Sequence, residues 1–329
     1  MRGAHRVGSD RHTHAIREVG AIVDVVVVTY NSAASVEACL QGARAASVVG
    51  TIVVVDNASR DDSVQMAQAA GADVILRNTA NVGFARAANQ GVAATTSESI
   101  LLLNPDAVVD EDALLHMSAL LLQRQDVAIV APLLLSETGA ITAGAGRSRG
   151  VARRVGLCLP LVGRLPVFRP QYDVRSLSGD GATGAVPVDY VFGAVMLVDR
   201  SFFRAAGGFD ERFFFAAEDE DLCRRAWRAG KQVVLDSAVV VRHVGGASCT
   251  EAARTEAQRL FSIYRFLAKW EGDGAARRYY LGTRVALGLR EAAAALVGDR
   301  GKRMTVAEMR RTLEEAYRSG ADPLRTGTG

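Results

Sequence analysis

The chain of 329 residues is long enough for one large domain or two smaller ones, and 49% apolar against 23% charged residues can bury a substantial core. A net charge of +3 implies no nucleic-acid partner by itself, and no uncharged apolar run approaches the ~18 residues needed to span a bilayer. Four scattered cysteines, Cys39, Cys158, Cys223 and Cys249, offer neither a zinc-type pair nor a disulfide framework, which fits a reducing cytosol.

Residues 1–20 carry His5, Arg6, Arg11, His12, His14 and Arg17 without the apolar stretch of a signal peptide, and read as a mobile tail. Ala21 to Val28 is a nearly continuous β-branched run, the pattern of a strand buried on both faces. Helix-patterned Ser35 to Ala46, strand Thr51 to Val55, helix Asp62 to Ala70, strand Val74 to Leu76 and helix Phe84 to Ala94 follow. Strand Ile100 to Leu103 and helix Glu111 to Gln123 continue the rhythm. This alternation predicts parallel β-α-β units with helices on both faces of a central sheet.

Gly139 to Pro187 breaks the pattern with Gly, Arg and Pro, and reads as a long, partly ordered excursion. Within it, Arg147 to Arg175 contains seven arginines and a single acid, Asp173. Val188 to Val198 reads as a strand, Asp221 to Ala229 as a helix, and Val233 to Leu235 and Val239 to Val241 as late strands. From Glu251 onward the chain is mainly helical and basic, including Arg277-Arg278-Tyr279-Tyr280 and the mixed stretch Leu281 to Val297.

Sheets of this kind bind ligands beyond the carboxyl ends of their strands, and three polar clusters stand at equivalent positions after early strands: Thr29-Tyr30-Asn31, Asp56-Asn57-Ala58-Ser59 and Asn104-Pro105-Asp106. Asp56-Asn57-Ala58-Ser59 can hydrogen-bond a base or ribose, or simply form a turn and helix cap. Asn81-Val82-Gly83-Phe84 offers close backbone approach at a helix start, where anions are favoured, or a plain junction. In Asn104-Pro105-Asp106 the proline stiffens a turn that aims Asp106 outward, and one carboxylate with diphosphate oxygens and water is a usual way to hold magnesium or manganese. His243 follows a late strand beside two glycines, as a structural residue or as a metal or phosphate contact.

The strongest local signal is Glu218-Asp219-Glu220-Asp221 behind Phe213-Phe214-Phe215. Helix-dipole complementarity and the pairs Glu220/Arg224 and Asp221/Arg225 explain two of the acids. Four adjacent carboxylates exceed that need and raise one another's proton affinity, as a general base requires.

In order, Val26-Val27-Val28-Thr29-Tyr30-Asn31, Val54-Val55-Asp56-Asn57-Ala58-Ser59, Asn81-Val82-Gly83-Phe84, Leu103-Asn104-Pro105-Asp106, Phe192-Gly193-Ala194, Gly207-Gly208-Phe209-Asp210-Glu211 and Glu218-Asp219-Glu220-Asp221-Leu222 resemble the family 2 inverting glycosyltransferases of the GT-A fold, especially the bacterial rhamnosyltransferase-like branch. The resemblance implies a GT-A (Rossmann-like) α/β fold with a mostly parallel central sheet and a helical C-terminal extension. It divides the chain into a tail (1–20), a catalytic domain (21–250, with a nucleotide-binding half to about 135 and an acceptor half from 136), and a helical basic region (251–329). Thr29, Asn31 and Asp56 would line the nucleotide pocket, with Asp56 on the base, and Asn57, Gly83 and Asn104 would also bind substrate. Asp106 would bind Mg2+ or Mn2+, with Asn104 in place of the first acid of the motif and His243 completing the site. Gly193 and Ala194 would form a wall near donor sugar and acceptor, Glu218 would shape the acceptor side, and Asp219 would be the catalytic base.

The implied reaction moves a sugar, rhamnose from dTDP-rhamnose being favoured, from a nucleotide-diphosphate donor to a glycan, lipid-linked or small-molecule acceptor in cell-wall or surface polysaccharide synthesis. The setting expected is cytoplasmic, with peripheral contact at the inner face of the cell membrane and no nucleic-acid partner. Two other readings compete. A sugar-1-phosphate nucleotidyltransferase would carry a Gly-rich loop with Arg and Lys where this chain has Thr29-Tyr30-Asn31-Ser32, and a non-catalytic carbohydrate- or sugar-nucleotide-binding subunit would not need the acidic cluster.

Overall fold

The computed structural model describes residues 23–142, 144–159, 184–244 and 252–325. The expected tail at 1–20, residues 160–183 of the arginine-rich excursion, and Gly245-Gly246-Ala247-Ser248 lie outside the described residues.

The first half alternates as its periodicity predicts: β1 (Val23–Thr29), α1 (Val36–Arg44), β2 (Val49–Asp56), α2 (Ser63–Ala69), β3 (Val74–Arg77), α3 (Phe84–Ala93), β4 (Ser99–Leu103), the short β5 (Ala107–Val108) and α4 (Glu111–Gln123). The second half runs β6 (Val127–Leu135), β7 (Ile141–Thr142), β8 (Ala145–Gly146), α5 (Val151–Cys158), β9 (Ala185–Pro187), β10 (Tyr190–Val191), β11 (Val195–Asp199), α6 (Arg200–Ala205), α7 (Glu218–Arg228) and β12 (Gln232–His243). Helices α8 (Ala252–Glu271), α9 (Asp273–Leu296) and α10 (Arg300–Ser319) end it.

The main sheet runs β3-β2-β1-β4-β11-β6-β12-β5. Strands β1 to β4 are mutually parallel, and so are β6 and β12, while β11 inserts antiparallel between β4 and β6. Alternate residues of the β-branched strands feed two cores, as the period-two pleat requires. Val25, Val27, Ile52 and Val54 pack under α1 and α4; Val26, Val53, Val55 and Ile100 pack under α3, α6 and α7. At the amino end of β1, buried Asp24 accepts from the amides of Thr51 (2.8 Å), Thr96 (2.6 Å) and Ser97 (2.8 Å), tying three segments together at the edge opposite the polar clusters.

Three expectations change. Val188 to Val198 is two strands, because Phe192-Gly193-Ala194 turns out of the ladder between β10 and β11. The two late strands are one, β12, whose register against β6 shifts between Asp236 and Val240. Strand β6 was not anticipated: VAIVAPLLL follows α4 closely and lacks alternation, so pairing with β11 and β12 decides its state. Cys39, Cys158 and Cys223 are free and buried.

The three C-terminal helices share an apolar cluster with α5, including Cys158, Leu260, Tyr279, Leu287 and Leu313. They dock on α7 through Trp270 and Lys269, which reach Asp221 Oδ1 at 2.8 and 2.6 Å.

Gly91 on α3 is required by contact with the sheet, since a Cβ there would collide with Val26 Cγ1 and lie 3.1 Å from Val55 Cγ2. Alanine gains ~1 kcal/mol of helix propensity, but overpacking a dense core costs ~1–3 kcal/mol. Gly91→Ala is therefore expected to lower the denaturant midpoint, and a raised midpoint would show that α3 can lift off the sheet freely.

Candidate active site

Register brings the early polar clusters to one edge. Thr29 pairs with Asp56 across β1 and β2, and Leu103, immediately before Asn104, pairs with Val27. Thr29 Oγ1 donates to Asp56 Oδ1 (3.1 Å), and the Ser59 amide donates to Asp56 Oδ2 (3.1 Å). Asn31, in the left-handed region at φ 52°, accepts from the Arg60 amide (2.8 Å) and donates its own amide to Ser59 Oγ (2.9 Å). Asp56 is 2% exposed, so its first task is to hold the two loops together; a ligand would meet its remaining lone pairs.

Asn57 is likewise committed. Its Oδ1 accepts from the Val82 amide (3.0 Å) and Asn78 Nδ2 (3.2 Å), and its Nδ2 donates to Asn81 Oδ1 (2.8 Å). Gly83, at φ 89°, does allow a close approach, but the neighbour is Phe214: a Cβ would lie 2.5 Å from its carbonyl oxygen. That carbonyl also accepts from the Phe84 amide (2.7 Å), so one of the first amides of α3 is already occupied.

The other expected residues form one connected chain. Asp219 Oδ2 accepts from the Gly193 amide (3.1 Å), and Oδ1 from the Glu220 amide (2.7 Å). One residue on, the Ala194 carbonyl accepts from the Asn104 amide (2.9 Å). Asn104 Nδ2 lies 3.5 Å from His243 Nε2, which lies 3.2 Å from Asp106 Oδ1. The turn between β10 and β11 thus bridges the acidic helix to the end of β4. Strand β5 completes the frame by pairing Ala107 with His243.

The Asp106–His243 spacing suits a cation. Adjacent ligands of an octahedral ion with bonds of ~2.1 Å stand about 3 Å apart, and a carboxylate, an imidazole and an amide suit magnesium or manganese when phosphate oxygens complete the shell. No group of three or more His, Cys, Asp or Glu able to hold a metal occurs among the described residues, so substrate oxygens would have to supply the remainder.

The four acids occupy different environments. Asp219 is half-buried, and burial pushes its carboxyl up to about 6; the amides of Glu220 and Gly193 pull it back, while the Glu220 charge adds to the rise. Glu218 is buried with Oε2 unpartnered, and burial, reinforced by Asp219, raises its proton affinity well above the usual carboxylate range. Glu220 was expected to pair with Arg224. Its Oε1 instead accepts from Arg154 Nη2 (2.5 Å) on α5 and from Ser148 Oγ (2.9 Å), and Arg224 lies 4.7 Å from the Trp270 ring centroid. Asp221 pairs with Arg225 as expected (2.9 Å).

The helix carrying these acids starts at Glu218, three residues earlier than its pattern suggested. Ala216 and Ala217 precede it at φ 67° and 70°. Left-handed L-residues cost ~1–2 kcal/mol each; buried Phe213 and Phe214, the packing of Ala217 on Phe213 and Phe266, and Ser262 Oγ on the Phe215 carbonyl (2.7 Å) hold them there. A separate pocket behind the aromatic run, lined by Arg212, Arg265, Lys269 and Asp322, contains none of the expected site residues.

This sheet with its crossing polar edge is the GT-A architecture. A mannosyltransferase from Pyrobaculum calidifontis in complex with GDP-Man and Mn2+ shares it at TM-score 0.53 and 16% identity, over 95% of this chain and 93% of that one. Residues 24–143 match the model of glycosyl transferase family 2. An N-acetylglucosaminyl-diphospho-decaprenol L-rhamnosyltransferase of Mycobacterium tuberculosis is 28% identical over 75% of this chain and 84% of its own length. A low-salt glycan biosynthesis hexosyltransferase of Haloferax volcanii is 25% identical over 63% of this chain and 62% of its own. Residues 24–143 thus carry a glycosyl transferase family 2 domain, and the chain is similar over most of its length to a rhamnosyltransferase.

Arg154 and Ser148 were invisible as partners of Glu220, being 66 and 72 residues away from it in sequence. Arg154→Met should leave a buried carboxylate unpaired and cost about 3–5 kcal/mol of unfolding free energy. A loss below about 1 kcal/mol in urea titrations, within the range of an exposed pair, would mean the ion pair is solvated.

Proposed function

We propose that this protein transfers a sugar from a nucleoside-diphosphate donor to an acceptor hydroxyl with inversion, Asp219 acting as general base. The observation that carries the reading is the path of hydrogen bonds from Asp219 through Gly193 and Ala194 to Asn104, continued by the close contacts of His243 Nε2 with Asn104 and Asp106. It holds a half-buried carboxylate of raised proton affinity in fixed relation to a carboxylate–imidazole pair. A base that keeps its proton to about pH 6 releases it near neutrality and then accepts one from a hydroxyl.

On the donor side, Asp56, Thr29, Asn31 and Asn57 would shape the base and ribose pocket, and Asn104 and Gly83 would border the diphosphate. Asp106 and His243 would hold Mg2+ or Mn2+, which offsets charge on a departing diphosphate when bound. Glu218 and the Gly193–Ala194 wall would shape the acceptor side. Residues 21–250 would be the catalytic domain, divided near 135, with 251–329 as its helical buttress. Rhamnose carried by thymidine diphosphate is the favoured donor, and a lipid-diphosphate-linked glycan the favoured acceptor. The support is the name of the mycobacterial relative, whose length this chain largely spans. On that reading the protein works in surface polysaccharide synthesis at the cytoplasmic side of a membrane.

Asp219→Asn keeps size and one acceptor oxygen but removes the basic oxygen pair. Turnover should fall ~10²–10⁴-fold while calorimetric donor affinity stays unchanged; turnover within a few fold of the parent would refute the base assignment. Asp106→Ala should remove the metal-dependent part of donor affinity, measured with and without Mn2+. Equal affinities in parent and variant with the metal present would count against Asp106 as its ligand.

A further inference from the structure

Among the described residues, the outer face of α9 is apolar and has no neighbour packed over it. Among the described residues eleven large apolar side chains are exposed, and six of them fall between Leu281 and Met304: Leu281 (47%), Val285 (62%), Leu289 (52%), Leu296 (89%), Val297 (77%) and Met304 (72%). The inner face is already accounted for, since Ala276, Tyr279, Ala286 and Leu287 pack in the cluster shared by α5, α8 and α10. At about 100° per residue, Leu281, Val285, Gly288, Leu289, Ala292 and Leu296 lie within an arc of roughly 100°, a stripe about 22 Å long. A contiguous exposed stripe of this kind marks an interaction surface rather than scattered surface residues.

Its charge identifies the occupant. Residues 277–303 hold seven basic and two acidic side chains. Exposed Arg277 and Arg278 stand at one end of the stripe, and exposed Arg300, Lys302 and Arg303 at the other. Of the two acids, Glu291 is engaged by Arg310 at 3.1 Å. With both ends basic, pairing two copies along the stripe sets positive ends against positive ends in either orientation. An apolar strip between basic ends matches a helix lying in the interface of an anionic bilayer, side chains among the acyl chains and arginines at the headgroups.

We infer that the outer face of α9 docks on an anionic lipid surface. This face is tied to the active site by packing: α9 meets α5 at Gly282, where a Cβ would lie 2.8 Å from Val155 Cγ2, and the next residue before Val155 is Arg154, which holds Glu220 beside Asp219. Docking would therefore present the acceptor side of the site from a fixed distance above the membrane. The inference concerns binding alone and does not depend on the base assignment.

The test is flotation of the full-length protein with vesicles of phosphatidylcholine alone or with about 30% phosphatidylglycerol. The parent should float with the anionic vesicles only, and release in about 0.5 M salt. Combined Leu281→Ser, Val285→Ser and Leu289→Ser, all exposed, should lower apparent vesicle affinity at least about tenfold and leave the unfolding midpoint in place. Combined Arg277→Ser and Arg278→Ser should weaken flotation with the anionic vesicles and lower the salt concentration needed for release, again without moving the unfolding midpoint. The inference is overturned if the parent does not float, if the triple variant floats as well as the parent, or if ultracentrifugation shows a parental dimer that the triple variant abolishes without any lipid binding.

Discussion

The geometry of the site depends on one short turn, Phe192-Gly193-Ala194. Gly193 gives its amide to Asp219, and Ala194 gives its carbonyl to the amide of Asn104. These two bonds join a helix from late in the chain to the end of a strand from its first third. Strand β11, which begins one residue later, runs antiparallel between β4 and β6 and carries the turn to the carboxyl edge where the early polar clusters sit. A hydrogen bond to an ionised group is worth ~1.5–3 kcal/mol. The pair of amides on Asp219 therefore fixes its carboxylate firmly while the side chain stays half-exposed.

The four acids of α7 divide their tasks by environment rather than by position. Asp221 is fully buried and spent on Arg225, Lys269 and Trp270, which anchor the C-terminal helices. Glu220 is spent on Arg154 and Ser148, which anchor α5. Glu218 is buried with an oxygen unpartnered. Only Asp219 is both half-exposed and oriented by amides that leave room for a proton. The left-handed Ala216 and Ala217 set the helix entry that brings this first turn to Gly193, and the aromatic packing beneath them offsets their strain.

Much of this was legible in the chain itself. Continuous β-branched runs followed by helical periods announced β1 to β4, because both patterns arise from local geometry. The same logic located Asp56, Asn104 and Asp106, which stand at strand ends. What escaped was set by distance or by pairing. Strand β6 has no alternation of its own and is defined by two neighbours. The Arg154–Glu220 pair joins segments that no local pattern connects, so one arginine of the basic excursion proved to be a buried partner rather than a surface charge. Gly83 was read as a place for ligand approach, yet the backbone it admits is that of Phe214. Its positive φ and its need for space were foreseeable, whereas the occupant of that space was not.

The central claim is that Asp219 is a base whose proton affinity is raised by burial and moderated by the Gly193 and Glu220 amides. The direct measurement is kcat/KM against pH with a matched donor and acceptor, which reports the free enzyme's essential groups. The account predicts an acidic limb, with activity falling as pH drops through about 6. A profile that stays flat down to the ordinary carboxylate range, ~4, would contradict it.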